Sequence, residues 1–150
     1  MRRHLRNQEI RDLIEKIDNL FNVDIIDKKD KVEIVDDKFI LCNDKAVFFY
    51  REKKLIPTLK IILKNNFLNK ITVDMGAVRF VAKGADIMRP GIVDADNAIE
   101  KNEIISIVDV NNKKPLAVGK ALFSGQEINK MDKGKAIENI HYVGDEIWNL

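Results

Sequence analysis

Three cationic side chains stand around a glycine in one short stretch of the sequence, and together they suit the binding of phosphate groups. Arg79 and Lys83 are four residues apart, so they share one side of a helix predicted over 77–83. Gly84 stands where a glycine commonly ends a helix, and Arg89 follows it. Backbone N–H groups and arginines near a glycine loop attract phosphate oxygens. The pattern by itself favours a simpler interpretation, in which Arg79 and Lys83 form the solvated side of a small helix.

The elements that must position these side chains can be identified from the neighbouring residues. The apolar run 71–73 predicts a strand, and Asp74 after it is a favourable helix N-cap. Arg89 precedes Pro90-Gly91, a pair that favours a tight turn, and the residue before a proline is extended. We therefore expect a short helix, a glycine loop and a turn in immediate succession.

No constellation of residues predicts catalysis. The two histidines, His4 and His141, have no cysteine or second histidine at metal-ligand spacing. Gly119-Lys120 and Gly134-Lys135 lack the flanking residues of a phosphate-binding P-loop, an earlier glycine and a following Ser or Thr. Asp94 and Asp96 stand beside Asn97, a combination typical of turns. We predict no enzymatic activity, no metal and no cofactor.

The distribution of glycine predicts two domains. All seven glycines of the 150 residues follow residue 75, which indicates different architectures for the two halves. We place the boundary between 1–69 and 70–150. Net charges of +3 and −1 for these halves argue against RNA binding by bulk charge, so that any RNA site must be a local patch. The single cysteine, Cys42, excludes an intramolecular disulfide.

The first half predicts one long amphipathic helix and a meander of strands. Apolar residues at helical spacing predict a helix over 5–21, and the short β-like runs are 23–26, 32–35, 39–42 and 46–50. Proline in a first turn predicts a second helix over 57–65. Four arginines (Arg2, Arg3, Arg6 and Arg11) crowd the start of the first helix, where positive charge is unfavourable. Solvation explains them most simply, and contact with RNA or an acidic partner is a minority hypothesis.

The second half predicts many short strands around two small helices. Strands are expected over 103–110 and 115–123, a capping box at Ser124 opens a helix to 131, and a last pair of extended runs follows residue 134. Glycine turns between short strands favour a closed or partly closed β-barrel.

The stretch GAVRFVAKGADIMRPGI resembles the signature of PUA domains, the RNA-binding modules named for pseudouridine synthases and archaeosine transglycosylases. The likeness continues through PLAVGKALFSGQEINKMDKGKAIENIHYVGDEIW and covers roughly 70–150. The run IENIHY and the later Trp148 are similar to stand-alone proteins of archaea that join a pre-PUA domain to a PUA domain. Their eukaryotic relatives are the malignant T-cell amplified sequence proteins of the translation machinery.

This resemblance implies an α+β fold, with a small N-terminal α/β pre-PUA domain followed by a PUA pseudo-β-barrel. It implies an RNA-facing groove whose residues here are Arg79, Lys83, Gly84, Ala85 and Arg89, with Lys120 extending a phosphate-contacting rim. The implied partners are RNA (tRNA or rRNA), the small ribosomal subunit and an initiation-factor-like protein.

Three functions remain open at this point. The first is a translation-associated RNA-binding protein, the second a protein-interaction adaptor acting through 1–69, and the third a detached RNA-targeting subunit of an RNA-modifying enzyme. No apolar stretch is long enough to span a membrane, and the N-terminus lacks the apolar segment of a signal peptide, so we expect a cytoplasmic protein.

Overall fold

A computed structural model describes residues 1–150 and confirms the predicted α+β class. The first half contains five strands and two helices: β1 (Arg2–His4), α1 (Asn7–Phe21), β2 (Val32–Val35), β3 (Phe39–Cys42), β4 (Lys45–Arg51), β5 (Lys54–Pro57) and α2 (Leu59–Lys64). The strands form one antiparallel sheet in the order β1-β2-β3-β4-β5, the meander that the sequence predicts.

Several local predictions for this half are wrong. Residues 23–26 form no strand, whereas Arg2–His4 and Lys54–Pro57 do. Arg2–His4 form a strand despite their positive charge because they pair with β2. Pro57 is the last residue of β5, an edge strand, where the N–H that proline lacks is not needed for pairing. Helix α1 begins at Asn7 because the Glu9 carboxylate accepts the Arg6 backbone N–H at 2.9 Å. The helix ends at Phe21, and its C-cap residue, Asn22, adopts the left-handed conformation.

The N-terminal sheet is buried on both faces. On one face, Ile40, Cys42 and Phe48 pack against the apolar side of α1. On the opposite face, Phe39 and Phe49 join a cluster that includes residues of the second half. Strand β3 is consequently buried at every position, which explains why its sequence is a continuous apolar run rather than an alternating one.

The arginines near the N-terminus are used inside this domain. The Arg2 guanidinium donates hydrogen bonds of 2.8 Å to both carboxylate oxygens of Glu33 and a further one to Asp44. The Arg3 guanidinium forms an ion pair of 3.0 Å with the Glu9 carboxylate. The hydrogen bond from Arg2 lowers the pKa of the buried Glu33 to about 2. Arg2 thus holds β1 against β2, and Arg3 holds the start of α1 against β1.

The second half is a pseudo-barrel. It contains β6 (Lys70–Val73), α3 (Met75–Val81), β7 (Ile87–Met88), β8 (Ile92–Ala95), β9 (Ile104–Asp109), β10 (Pro115–Ala121), α4 (Gly125–Lys130) and β11 (Lys135–Tyr142). The strand order is β7-β11-β10-β9-β6-β8, with β6 and β9 parallel and the other pairs antiparallel. The predicted last pair of extended runs is a single strand, β11, which pairs with β10 along one edge and with β7 along the other.

The corner between the two edge strands closes the barrel. A 3-10 turn, Arg89–Gly91, connects β7 directly to β8. Helix α4 covers the outer side of β8, where the Asn129 side chain exchanges hydrogen bonds of 2.8 and 3.1 Å with the backbone of Ala95. A Cβ on Gly125 would lie 1.9 Å from the Asp96 carbonyl oxygen, so the helix can approach this closely only with glycine. Helix α4 therefore covers the outer edge of β8 at Ala95.

One buried histidine joins the two halves. His141 of β11 is fully buried, and its Nε2 accepts the backbone N–H of Leu59, at the start of α2, at 3.0 Å. Its Nδ1 donates to the Asp145 carboxylate at 2.8 Å, and its ring meets Phe49 edge-on at 5.6 Å. Because Nε2 must accept, the imidazole must be neutral. Burial lowers the pKa of His141 below its ordinary value, although Asp145 opposes this shift.

We predict that the folded protein loses stability as the pH falls below about 6.5 because of His141. With a folded pKa below the unfolded one, the unfolded chain binds the additional proton, so the contribution is complete above the unfolded pKa and is lost as the pH falls through the folded pKa. Urea unfolding between about pH 7.5 and 5.5 should show a fall of at most about 1.4 kcal/mol per pH unit. His141→Gln should flatten this fall, since an amide can accept from Leu59 without titrating.

An equal pH dependence for His141→Gln and the unsubstituted protein would contradict the assignment.

Candidate nucleic-acid interface

Helix α3 presents its polar side to solvent at one end of the barrel. Asp74 caps it as the sequence predicts, accepting the Ala77 N–H at 2.9 Å. Val81 is buried in the barrel core, whereas Arg79 and Lys83 are exposed. Neither cation forms an ion pair with a carboxylate of the chain. Their charges are therefore available to a ligand.

The loop after α3 has its shape fixed by Gly84 and Tyr142. Gly84 adopts φ +90°, a conformation that side-chain-bearing residues rarely adopt. A Cβ at this position would also lie 2.6 Å from Cε1 of Tyr142, so the loop backbone rests directly on the aromatic ring. The exposed Ala85 follows. The structure thus brings Arg79, Lys83, Gly84 and Ala85 together.

Strand β11 supplies two further anchors that the sequence does not reveal. The Asn139 side-chain amide donates to the carbonyls of Val81 and Ala85 at 3.2 and 3.1 Å, closing the end of α3. The Asn139 backbone N–H donates to Asp86 at 2.9 Å, and Lys135 pairs with the same carboxylate at 3.2 Å. The loop is therefore rigidly attached to the barrel, a favourable property for a recognition surface.

An apolar groove lies between α3 and the turn after β7, on the helix that carries Arg79. It encloses about 470 Å³, and Phe80, Met88 and Pro90 contribute to its walls. Phe80 is 54% exposed, and Met75 and Met88 are 48% and 51% exposed, an unusual density of large apolar side chains in solvent. The Arg79 guanidinium carbon lies 4.9 Å from the Phe80 ring centroid. Phe80 is turned outwards, whereas the next residue, Val81, is buried.

Arg89 does not share the exposed position of Arg79 and Lys83. Its side chain is half-buried, with Nε donating to the Ile128 carbonyl at 2.6 Å and a terminal nitrogen donating to the Ile92 carbonyl at 2.8 Å. These bonds connect α4, β8 and the 3-10 turn at the corner that closes the barrel. The structure therefore gives Arg89 an architectural role.

Lys120 also lies apart from the glycine loop. Its side chain is half-buried and reaches Glu138 at 3.7 Å, a carboxylate shared with Arg51 of the N-terminal domain at 3.3 Å. The hydrogen bond from Arg51 lowers the pKa of Glu138, and the Lys120 charge adds to this effect. Lys120 thus shares one carboxylate with Arg51 at the junction of the two domains.

Comparison with known proteins gives matches for both halves. The PUA domain family matches residues 69–143, and a domain of unknown function, DUF1947, matches residues 1–65. None of the four α-helices has the length and hydropathy that a membrane span requires.

Similar proteins cover nearly the whole chain. An uncharacterised protein of Methanocaldococcus jannaschii is 46% identical over 97% of this chain and 94% of its own length. Translation machinery-associated protein 20 of Eremothecium gossypii is 35% identical over 92% and 83%. The crystal structure of a hypothetical protein from Pyrococcus horikoshii superposes with a TM-score of 0.85 at 30% identity, covering 99% and 98%. A chain of an H/ACA RNP bound to a substrate RNA reaches 0.52 at 26% identity, covering 66% and 31%.

We predict that Arg89 contributes far more to stability than Arg79. Arg89→Gln removes two charge-assisted bonds to buried carbonyls and should lower the free energy of unfolding by about 2 kcal/mol or more. Arg79→Gln changes an exposed side chain without a carboxylate partner and should change it by less than about 0.5 kcal/mol. Urea denaturation monitored by circular dichroism measures both. Equal losses of stability would contradict the separation of the two roles.

Proposed function

The chain belongs to the PUA-domain proteins that carry an N-terminal DUF1947 domain, and we propose that it binds RNA in translation. The proposed interface is helix α3, the loop at Gly84 and the apolar groove beside them. The observation that carries the proposal is the juxtaposition of the unpaired cations Arg79 and Lys83 with the exposed Phe80 ring on a rigid loop.

The cations supply the sequence-independent part of this binding. Arg79 can contact two phosphate oxygens at once through its planar guanidinium, while Lys83 acts as a point charge. Gly84 lets the loop backbone lie directly against the Tyr142 ring, which fixes the place of the neighbouring Lys83 beside a phosphate. Because the overall charge is nearly balanced, this local patch must provide the attraction.

The aromatic ring and the groove favour RNA that offers an unpaired base. A base can stack on the exposed face of Phe80, and such stacking contributes about 1–3 kcal/mol per base. In a regular duplex the bases are stacked on one another and cannot enter a groove of this kind. The proposed ligand is accordingly a folded RNA with a splayed or terminal nucleotide beside a phosphate backbone.

The translation role is supported by the names of the relatives. Proteins that cover nearly the same length are called translation machinery-associated protein 20 and malignant T-cell-amplified sequence 1. Within translation we propose tRNA or the small ribosomal subunit as the target, and an initiation-factor-like protein as a further partner. Of the predicted site residues, Arg79, Lys83, Gly84 and Ala85 belong to the proposed interface, whereas Arg89 and Lys120 lie outside it, at the barrel corner and the domain junction.

Binding to total tRNA and to small ribosomal subunits across a salt series tests the proposal. Arg79→Ala with Lys83→Ala should weaken the binding and reduce the slope of log K against log salt by roughly one per lost phosphate contact. Phe80→Ala should weaken the binding by about 1–3 kcal/mol and leave the slope unchanged, because stacking releases no counterions. The two effects separate the phosphate and base contributions.

Lys28→Ala with Lys29→Ala is the matched control, since these lysines are exposed in a turn of the N-terminal domain. That variant should bind like the unsubstituted protein. If substitution of Arg79, Lys83 and Phe80 left the affinity for RNA unaltered, α3 would not be the interface. If the protein bound neither tRNA nor small ribosomal subunits, the proposed function would be wrong.

A further inference from the structure

A second groove lies at the seam between the two domains, away from the glycine loop. It encloses about 550 Å³, and half of its lining residues are apolar. Its walls come from the end of α1 (Leu20 and Phe21), the β4–β5 hairpin, residues 67–69 and residues 102–104. Any ligand that enters this groove therefore contacts both domains at once.

The apolar part of the groove is not covered by the chain itself. Leu20 is 55% exposed at the end of α1, although it continues the apolar side of that helix. Beside it lie Phe67 and the buried side chains of Leu55 and Ile104. A solvated leucine at the mouth of an apolar groove is an anchor point for an apolar side chain from another molecule.

The rim of the groove is positively charged. Lys16, Lys53 and Lys54 line it, and none forms an ion pair with a carboxylate of the chain. Lys16 lies over the Tyr50 ring at 4.9 Å, and Lys54 donates to the Asn102 carbonyl at 2.9 Å, so two of the three are held in place.

The one acidic residue in the lining does not offset these lysines by contact. Glu103 accepts the Asn69 side-chain N–H at 2.8 Å and the Glu100 backbone N–H at 3.0 Å. Its carboxylate is thus directed into the loop that it stabilises. The groove combines an apolar floor with a rim of lysines, the complement of a segment that is both acidic and apolar.

We propose that this seam groove binds an acidic amphipathic segment of a partner protein. Apolar side chains of the segment pack against Leu20 and Phe67, while its carboxylates meet Lys16, Lys53 and Lys54. The apolar floor favours protein over RNA, because the groove has no exposed aromatic face comparable with Phe80 on which a base could stack. The proposal goes beyond RNA binding and uses none of the residues assigned to it.

Selection of a random peptide library on the immobilised full-length protein tests this proposal. The enriched peptides should carry an excess of Asp and Glu together with several apolar residues. The best of them, synthesised with a fluorophore, should bind with an affinity that falls about tenfold in Lys16→Glu with Lys53→Glu, and again in Leu20→Asn. Lys28→Glu with Lys29→Glu makes the same change of charge at a distant turn and should retain the binding.

Three results would overturn the proposal. The first is the enrichment of no peptide, or of basic or uncharged ones. The second is an acidic peptide whose affinity is the same for the groove variants as for the distant-turn control. The third is a loss of affinity for tRNA in Lys16→Glu with Lys53→Glu but not in that control, which would assign the groove to RNA. Circular dichroism of each variant establishes that it is folded.

Discussion

Burial of one sheet on both faces is the constraint on which the whole molecule depends. The N-terminal sheet is covered by α1 on one side and by the barrel on the other, so its second face is buried only against the neighbouring domain. The seam contains a polar bond as well, in which neutral His141 accepts the Leu59 N–H. Breaking such a bond leaves a buried donor unsatisfied, at a cost of about 1–3 kcal/mol. Apolar burial holds the two domains together, and the bond between His141 and Leu59 fixes how β11 and α2 are placed against each other.

The same strand that joins the domains also supports the proposed interface. Along β11, Asn139 holds the end of α3, His141 reaches into the N-terminal domain, and Tyr142 supports the backbone of Gly84. The glycine loop is therefore attached, through β11, to the N-terminal domain as well as to the barrel. Asn139 and Tyr142 therefore hold the end of α3 and the glycine loop in place, and with them the cations Arg79 and Lys83.

The sequence predicts the barrel and the α3 loop well because their signals are local. A capping aspartate, a glycine after the helix and a proline turn each act on a few neighbouring residues, and the structure has all three where they are expected. The roles of Arg89 and Lys120 depend on partners distant in the chain, Ile128 for the one and Glu138 with Arg51 for the other. No spacing pattern contains that information. Strand β1 is likewise invisible in sequence, because its pairing with β2 places charged residues in a sheet.

The most direct test of the central claim is the map of backbone amide shifts that tRNA produces in the isotopically labelled full-length protein. The account predicts that the shifted amides cluster in α3, in the loop around Gly84 and along the turn at Pro90, with the N-terminal sheet unaffected. Shifts confined to the N-terminal domain or to the seam groove, with α3 unchanged, would contradict it.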